Sequence, residues 1–383
     1  MSDTQKHTKS NVPNLRFPGF SGEWGTSSLS SFCKKITRKN KGNRISNVLC
    51  NSANLGIIPQ SEYFDRDIAN SDNTEGYYVI ENGDFVYNPR KSTAAPYGPV
   101  NIYHGEDLGI ISPLYLCFQV GAIDPNFLNF RFKSHAWHHY MYENGDSGAR
   151  HDRVSIKDEV FFAMPISFPT QAEQKKIVSF LTLLEERIAI QNKVIEKYES
   201  LIKALRHHIF STIEPEKEVA IADVLSYEQP TKYIISDTKY SDNKDLTPVL
   251  TANKAFVLGY TEETKGIYDK GPCIILDDFT LDSKIVDFPF KVKSSAIKIL
   301  SAKTPVRLRY IYEYFKFLDL NTEEHKRHYI AEIERMTIEL PDEDSIQSIA
   351  SLFDRMDQSR KALERDLQLL KSQKNYLLST LFI

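Results

Sequence analysis

MPISFPTQAEQKKIVSFLTLL runs from Met164 to Leu184, and MTIELPDEDSIQSIASLFDRM runs from Met336 to Met356. At an offset of 172 residues and with no gap, Met164 falls on Met336, Ile166 on Ile338, Phe168 on Leu340, Pro169 on Pro341, Ile177 on Ile349 and Ser179 on Ser351. Solenoid repeats run about 20–50 residues, so a period this long points to a duplicated half-molecule instead.

Each copy leads into a long helix. From Glu173 to Phe210 there is neither Gly nor Pro, and apolar residues recur at four–three spacing: Ile177, Leu181, Leu184, Ile188, Ile195, Tyr198, Ile202, Leu205 and Ile209, with Gln191 the polar member of the seam. This predicts a coiled-coil helix on the order of 55 Å long, at about 1.5 Å per residue. Thr170 and Glu173 have the spacing of a capping box at its start. The second helix, from about Asp344 to Leu381, carries its seam on Ile349, Phe353, Met356, Leu363, Leu367, Leu370, Leu377 and Leu381, interrupted by Arg360 and Lys374. An apolar seam must be buried. The two helices are each other's expected partners, antiparallel, with Arg360 near Tyr198; packing of each on its own globule is the alternative. The polar interruptions would fix register and direction.

A mixed globule precedes each of these helices. In the first, GYYVI, DFVYN and SPLYLCFQV read as strands, with a helical patch around PNFLNFRFKSHAWHHYMY; in the second, DLTPVLT, PCIILDDF and SAIKIL read as strands. The expected fold is α+β: two mixed α/β domains, 17–168 and 214–340, joined by helices at 169–213 and 341–383 in an antiparallel coiled coil with an internal pseudo-twofold repeat. Residues 1–16 read as a flexible polar tail.

The 383 residues are 41% hydrophobic and 26% charged, an ordinary soluble composition with no membrane-length apolar run. Cys33, Cys50, Cys117 and Cys273 are scattered, which suits free thiols in a reducing cytoplasm. A net charge of −3 argues against indiscriminate coating of nucleic acid, although local patches decide specific binding. CKKITRKNKGNR is such a patch, with no acid in it.

Catalytic signatures are missing. There is no G-x-x-x-x-G-K-S/T loop, G-x-G-x-x-G loop, H-E-x-x-H or G-x-S-x-G, and YNPRK has Arg90 where the adenine-methylation motif D/N-P-P-Y/F/W needs its second proline. LDDFTLDSK offers Asp277, Asp278, Asp282 and Lys284 to a metal-dependent nuclease, but these crowd into one apparent turn, and a solvated acidic turn is the plainer reading. His135, His138 and His139 lack a nearby carboxylate or Cys for metal ligation and suit an amphipathic aromatic face.

The Pro-x-x-x-E-Q start at Pro169–Gln174, the heptad helix behind it, and GARHDRVSIKDEVFFAMPISFPTQAEQKKI together resemble the specificity (S) subunits of type I restriction–modification systems. GDFVYNPRK and SPLYLCF are similar to segments of that family's recognition domains, and the resemblance covers the chain from about Phe17 onward. The second copy departs from the pattern with Asp344-Ser345 in place of Glu-Gln. The resemblance implies two target recognition domains, each reading half of a split, asymmetric DNA site, on a coiled coil that sets the spacing. It implies double-stranded DNA, two modification subunits and two restriction subunits as partners, with no membrane. S-adenosylmethionine, ATP and Mg would serve the partners in adenine-N6 methylation and cleavage; this chain would hold no cofactor or metal and catalyse nothing. Candidate DNA contacts are Lys34, Lys35, Arg38, Lys39, Lys41 and Arg44 for phosphates and Arg90, Lys91, Arg150 and Arg153 nearer the bases. In the second domain they are Lys232, Lys254, Lys284, Lys326, Arg327 and His328. A solvated surface charge is an equal account of each. The competing function is a coiled-coil scaffold joining two ligand-binding globules without DNA.

Overall fold

The structure, a computed structural model, describes residues 11–63, 74–147, 152–252, 256–303, 307–320, 328–330 and 332–383. Two compact units emerge: Met1–Ile190 with Leu367–Ile383, and Gln191–Asp366. The division cuts through both long helices. In each unit the seam residues of both helices join the core of the globule.

The first unit contains β1 (Gly25–Ser28), β2 (Cys33–Lys35), β3 (Val48–Ser52), β4 (Gly56–Pro59), β5 (Tyr78–Ile80), β6 (Phe85–Tyr87), β7 (Val100–Ile102), β8 (Gly109–Ile111), β9 (Leu116–Val120), β10 (Asp146–Ser147), β11 (Val154–Ser155) and β12 (Pro165–Phe168). The sheets run β2-β9-β6-β7 and β4-β3-β8-β5, beside ribbons β1-β12 and β10-β11. Period-two alternation serves two cores at once. Phe85 and Tyr87 of β6 and Phe118 of β9 face the larger core, while Val86 and Cys117 face a second core shared with Leu49 and Ile111 of the other sheet. Helices α1 (Gln60–Tyr63), α2 (Pro125–Lys133), α3 (His138–Asn144) and α4 (Asp158–Phe162) complete the globule. The expected helical patch is thus two helices, parted where Ser134 Oγ accepts from Ala136 N and donates to Arg131 O. All four cysteines are buried and free.

Helix α5 (Gln171–Thr212) follows, and the second unit adds β13 (Lys217–Ala220), α6 (Ile221–Val224), β14 (Leu225–Glu228), β15 (Thr247–Leu250), β16 (Val257–Thr261), β17 (Cys273–Asp277), β18 (Ser283–Val286), β19 (Lys291–Val292), β20 (Ile297–Ala302), α7 (Leu308–Leu318), β21 (Thr337–Leu340) and α8 (Glu343–Leu381). Its sheets run β14-β20-β17-β18 and β16-β15-β19, with the ribbon β13-β21. The wiring repeats that of the first unit. Antiparallel β6 sits between β7 and β9 as β17 sits between β18 and β20, and β3 pairs antiparallel with β4 and parallel with β8 as β15 does with β16 and β19. Phe168 pairs with Gly25 and Leu340 with Lys217 at the same point of the two ribbons. The repeated positions are core anchors: Ile166 and Ile338, like Ile177 and Ile349, are buried.

The seam is as read from the sequence, every position being buried or half-buried. In the first unit Ile177, Leu181 and Leu184 share a core with Leu370, Leu377 and Leu381, and Lys374 Nζ reaches Glu185 Oε1 at 2.6 Å. In the second, Ile202 and Ile209 pack with Ile349 and Phe353, and Gln191 Nε2 donates to Leu363 O at 2.9 Å. Both sets of contacts join an early residue of one helix to a late residue of the other, so the pairing is antiparallel. Of the three interruptions, Gln191 and Lys374 cross to the partner helix. Arg360 instead pairs along its own helix with Asp357 and Glu364.

Two expectations need correction. Residues 11–16 of the supposed tail are docked: Leu15 N donates to Thr380 O, and Arg16 forks onto Glu173 with both bonds at 2.8 Å. Glu173 is only 1% exposed, and that buried carboxylate requires the partner. At the helix starts, the 172-residue offset puts Ser345 and Ile346, not Asp344-Ser345, at the places of Glu173 and Gln174. There Asp342 caps α8, its carboxylate accepting from Ser345 N at 2.8 Å and from Ser345 Oγ.

Candidate nucleic-acid interface

The globule of each unit, outside the long helices, is here termed a head. In the first head Lys34 and Lys35 lie exposed on β2, between the buried Cys33 and Ile36. Lys35 pairs with Asp158, and Arg38 approaches Glu81 at 3.6 Å. Lys39 is held more firmly, donating to Gly76 O at 2.8 Å with its ammonium 3.2 Å from the Tyr78 ring centre. Lys34, Lys41 and Arg44 are exposed and make no ion pair among the described residues. The basic run is therefore two populations: cations that stabilise the head and cations left for a partner.

The segment after β6 lies across from the segment before β11. Arg90 and Arg153 face each other in an antiparallel bridge, with Lys91 N donating to Asp152 O. Arg150 lies outside the described residues, as do Lys254, Lys326 and Arg327 of the second head.

In the second head the candidates do not gather. Lys232 is at the surface but pairs with Glu228 at 2.8 Å, as Lys270 does. Burial alone would raise the Glu228 carboxyl, yet hydrogen bonds from Lys232, Lys270 and Tyr233 hold it at about 2. Lys284 is half-buried in a cavity lined by Arg206, Tyr312 and Phe353, against the helices. His328 is 2% exposed; its N–H donates to Asp278 and its Nδ1 lies 2.9 Å from Glu332. His328 serves packing rather than an open surface, whereas Lys284 keeps part of its surface at the cavity, and sequence alone cannot distinguish a cation facing inward from one facing out. Lys239, Lys244 and Lys293 are exposed, without ion pairs among the described residues. The sequence reading passed over them because they form no run. Their signal is positional: Lys239 and Lys244 precede β15 as the basic run precedes β3.

In the acidic turn Asp277 and Asp278 are buried, whereas Asp282 is exposed. Asp277 Oδ1 accepts from Phe279 N and Thr280 N, while Asp278 accepts from His328 N and Tyr329 N and pairs with Lys298 at 3.2 Å, both side chains 2% exposed. The carboxylates of Asp277 and Asp278 are thus occupied in shaping the turn. His138 packs against the rings of Tyr97 and Trp137, and burial, with help from His135, lowers its pKa to about 4. No cluster of three His, Cys, Asp or Glu able to hold a metal occurs among the described residues. None of their helices is long and apolar enough to cross a membrane.

No protein-family model matches the chain. The specificity subunit of the type I restriction enzyme EcoR124I/EcoR124II of Escherichia coli is 40% identical over 169 residues, which are 41% of this chain and 42% of that protein. The match thus spans less than half of the curated relative. The crystal structure of a type I restriction–modification S subunit from M. genitalium superposes with a TM-score of 0.57 at 14% identity, over 97% of this chain and 99% of that one. A chain from a structure describing complex assembly and conformational transition of a type I system gives 0.54 at 13%, over 93% and 96%. The chain has the fold of type I specificity subunits. The duplicated α+β heads and paired helices read from the sequence are that fold.

Proposed function

We propose that this chain is the DNA-recognition subunit of a type I restriction–modification complex, each head reading one half of a bipartite, asymmetric double-stranded site. The observation that carries the reading is the pair of heads with one wiring and two unlike surfaces. A duplicated frame with divergent faces suits two different half-sites, as a homodimer suits a palindrome. The paired helices would set the number of base pairs left unread. In the first unit, Phe180, Leu183 and Ile190 of α5 and Leu369 and Tyr376 of α8 are exposed, and such apolar side chains suit docking of a modification subunit. In the proposed complex two modification subunits methylate adenine N6 with S-adenosylmethionine. Two restriction subunits use ATP and Mg to cleave, and the chain itself, a cytoplasmic protein, supplies sequence choice and no catalytic group.

The test is a map of adenine methylation across the host genome by long-read sequencing, with the gene intact and deleted. The expected result is a split, asymmetric motif whose methylation disappears on deletion and returns with the gene. A host that methylates such motifs identically with and without the gene would favour the scaffold instead.

A further inference from the structure

Arg90 and Arg153 stand directly opposite each other in their bridge, closed by Lys91 N to Asp152 O at 2.8 Å and Val154 N to Pro89 O at 2.9 Å. Opposed residues of an antiparallel ladder project from the same face, and like charges so placed repel. Both side chains are exposed. The Arg90 guanidinium has no hydrogen-bond or ion-pair partner among the described residues, and Arg153 has only its neighbour Asp152, at 4.0 Å. Burial raises the Tyr115 phenol above its ordinary value while Arg90 and Arg153 pull it back, which sets both charges beside that ring. The fold brings two cations together and leaves the repulsion uncompensated, the pattern of a site completed by its ligand.

The support beneath the pair is stiff. Asn88 Nδ2 donates to Asn51 O at 3.0 Å, Asn51 Nδ2 to Val86 O at 2.7 Å, and Asn101 Nδ2 to Asn51 Oδ1 at 2.7 Å. Gly98, at φ +84°, packs so closely that a Cβ would fall 2.0 Å from Asn88 O. Beside the pair stands Leu114, 61% exposed, which lines a cavity of about 210 Å³ together with Pro89 and Val154. Phosphate oxygens give an exposed leucine nothing to contact. A base-pair edge in the major groove offers N7 and O6 of guanine to a guanidinium fork and the thymine methyl to an apolar side chain.

We propose that Arg90 and Arg153 are the guanine readers of the first head, each able to fork onto O6 and N7, with Leu114 against the neighbouring base. This rests on the DNA-recognition function proposed above. The test is selection from a library of duplexes carrying randomised half-sites, using the complex of the full chain with its modification subunit. The wild type is compared with Arg90→Gln, Arg153→Gln and Arg90→Lys. The expected wild-type result is a split motif. In one half, preference for guanine at a given position falls about tenfold or more in each Gln variant and is not restored by Arg90→Lys, which keeps the charge but loses the fork. The other half of the motif stays unchanged, showing that the variants fold and assemble. Guanine preference that survives both Gln changes, or that Lys restores, overturns the assignment and leaves the recognition function standing. A wild type that enriches no split motif overturns the recognition function and the readers with it.

Discussion

In the first head the chain leaves β6 as Asn88-Pro89-Arg90-Lys91, and in the second it leaves β17 as Asp277-Asp278-Phe279-Thr280. The ladders set Phe85 against Phe118 and Ile274 against Leu300, which brings Asn88 and Asp277 to one place in the wiring. Both residues make the same turn: Asn88 Oδ1 accepts from Arg90 N, and Asp277 Oδ1 from Phe279 N, each at 3.0 Å. Beyond that shared turn the heads diverge. At the place of the exposed Arg90 the second head has the exposed aromatic Phe279, and at the place of Pro89 it folds Asp278 inward onto Lys298 and two backbone N–H groups. Turn chemistry preserves the backbone of a duplicated head, while the side chains that follow it differ in chemistry on the surface and in the core.

Substitution at these neighbouring positions should therefore have opposite consequences. Asp278→Ala strands Lys298 and two N–H donors in the interior and is expected to cost about 3–5 kcal/mol. Arg90→Ala should change stability by no more than about 0.5 kcal/mol. Both tryptophans, Trp24 and Trp137, lie in the first unit, so denaturant unfolding can separate the two. In Asp278→Ala the circular-dichroism transition should split, its early part belonging to the second unit, while the tryptophan fluorescence transition holds its place. A loss below about 1 kcal/mol, or an equal loss in Arg90→Ala, would erase the contrast.

The sequence announced the frame far better than the face. Heptad spacing, the 172-residue repeat and runs such as DFVYN and PCIILDDF are local patterns, and the structure returns each as the element expected. Arg16 illustrates what is not local: it looked like tail because its partner, Glu173, is 157 residues away. His328 illustrates another limit. A basic residue in a loop shows its type but not its side, and here the side is set by the Asp278 turn against which His328 is held. Lys239, Lys244 and Lys293 went unremarked because they form no run in the sequence.

The two helix starts carry the same comparison at a smaller scale. Helix α5 begins with a weak cap, Thr170 Oγ1 accepting from Glu173 N at 3.4 Å, and a buried carboxylate held by a remote arginine, whereas α8 begins with the stronger cap of Asp342 on Ser345. Arg16→Ala should cost about 3 kcal/mol, because Glu173 is left unpaired where water does not reach it. Asp342→Ala removes a surface cap and should cost clearly less. The hydrogen bonds from Ser345 lower the Asp342 pKa, so its contribution is complete above the ordinary carboxylate value of about 4 and is lost as pH falls through the lower folded value. Melting followed from pH 5 downward should show this acid-sensitive component in the wild type and not in Asp342→Ala. An Arg16→Ala protein that melts no earlier than Asp342→Ala would show that the remote fork adds nothing the cap does not.

The smallest effect concerns the cations themselves. If the unpaired members of the basic run are the ones that meet phosphate, Lys41→Ala with Arg44→Ala should reduce the slope of log K against log salt by up to about 0.9 per lost contact, or about 1.8 for the pair. Affinity should fall for specific and random duplexes alike, because phosphate contacts carry no sequence information. Lys35→Ala, whose ammonium is already held by Asp158, should leave the slope within error of the wild type. Lys239→Ala with Lys244→Ala makes the matching measurement on the second head. There the cations are sparser and the net gain from phosphate should be smaller, so a reduction as large as that of the first head would mean that the two faces hold the backbone equally and differ only in the bases they read. A Lys35→Ala slope that falls as far as that of Lys41→Ala would instead mean that intramolecular pairing does not reserve a lysine from DNA, and the division of the basic run into two populations would have to be given up.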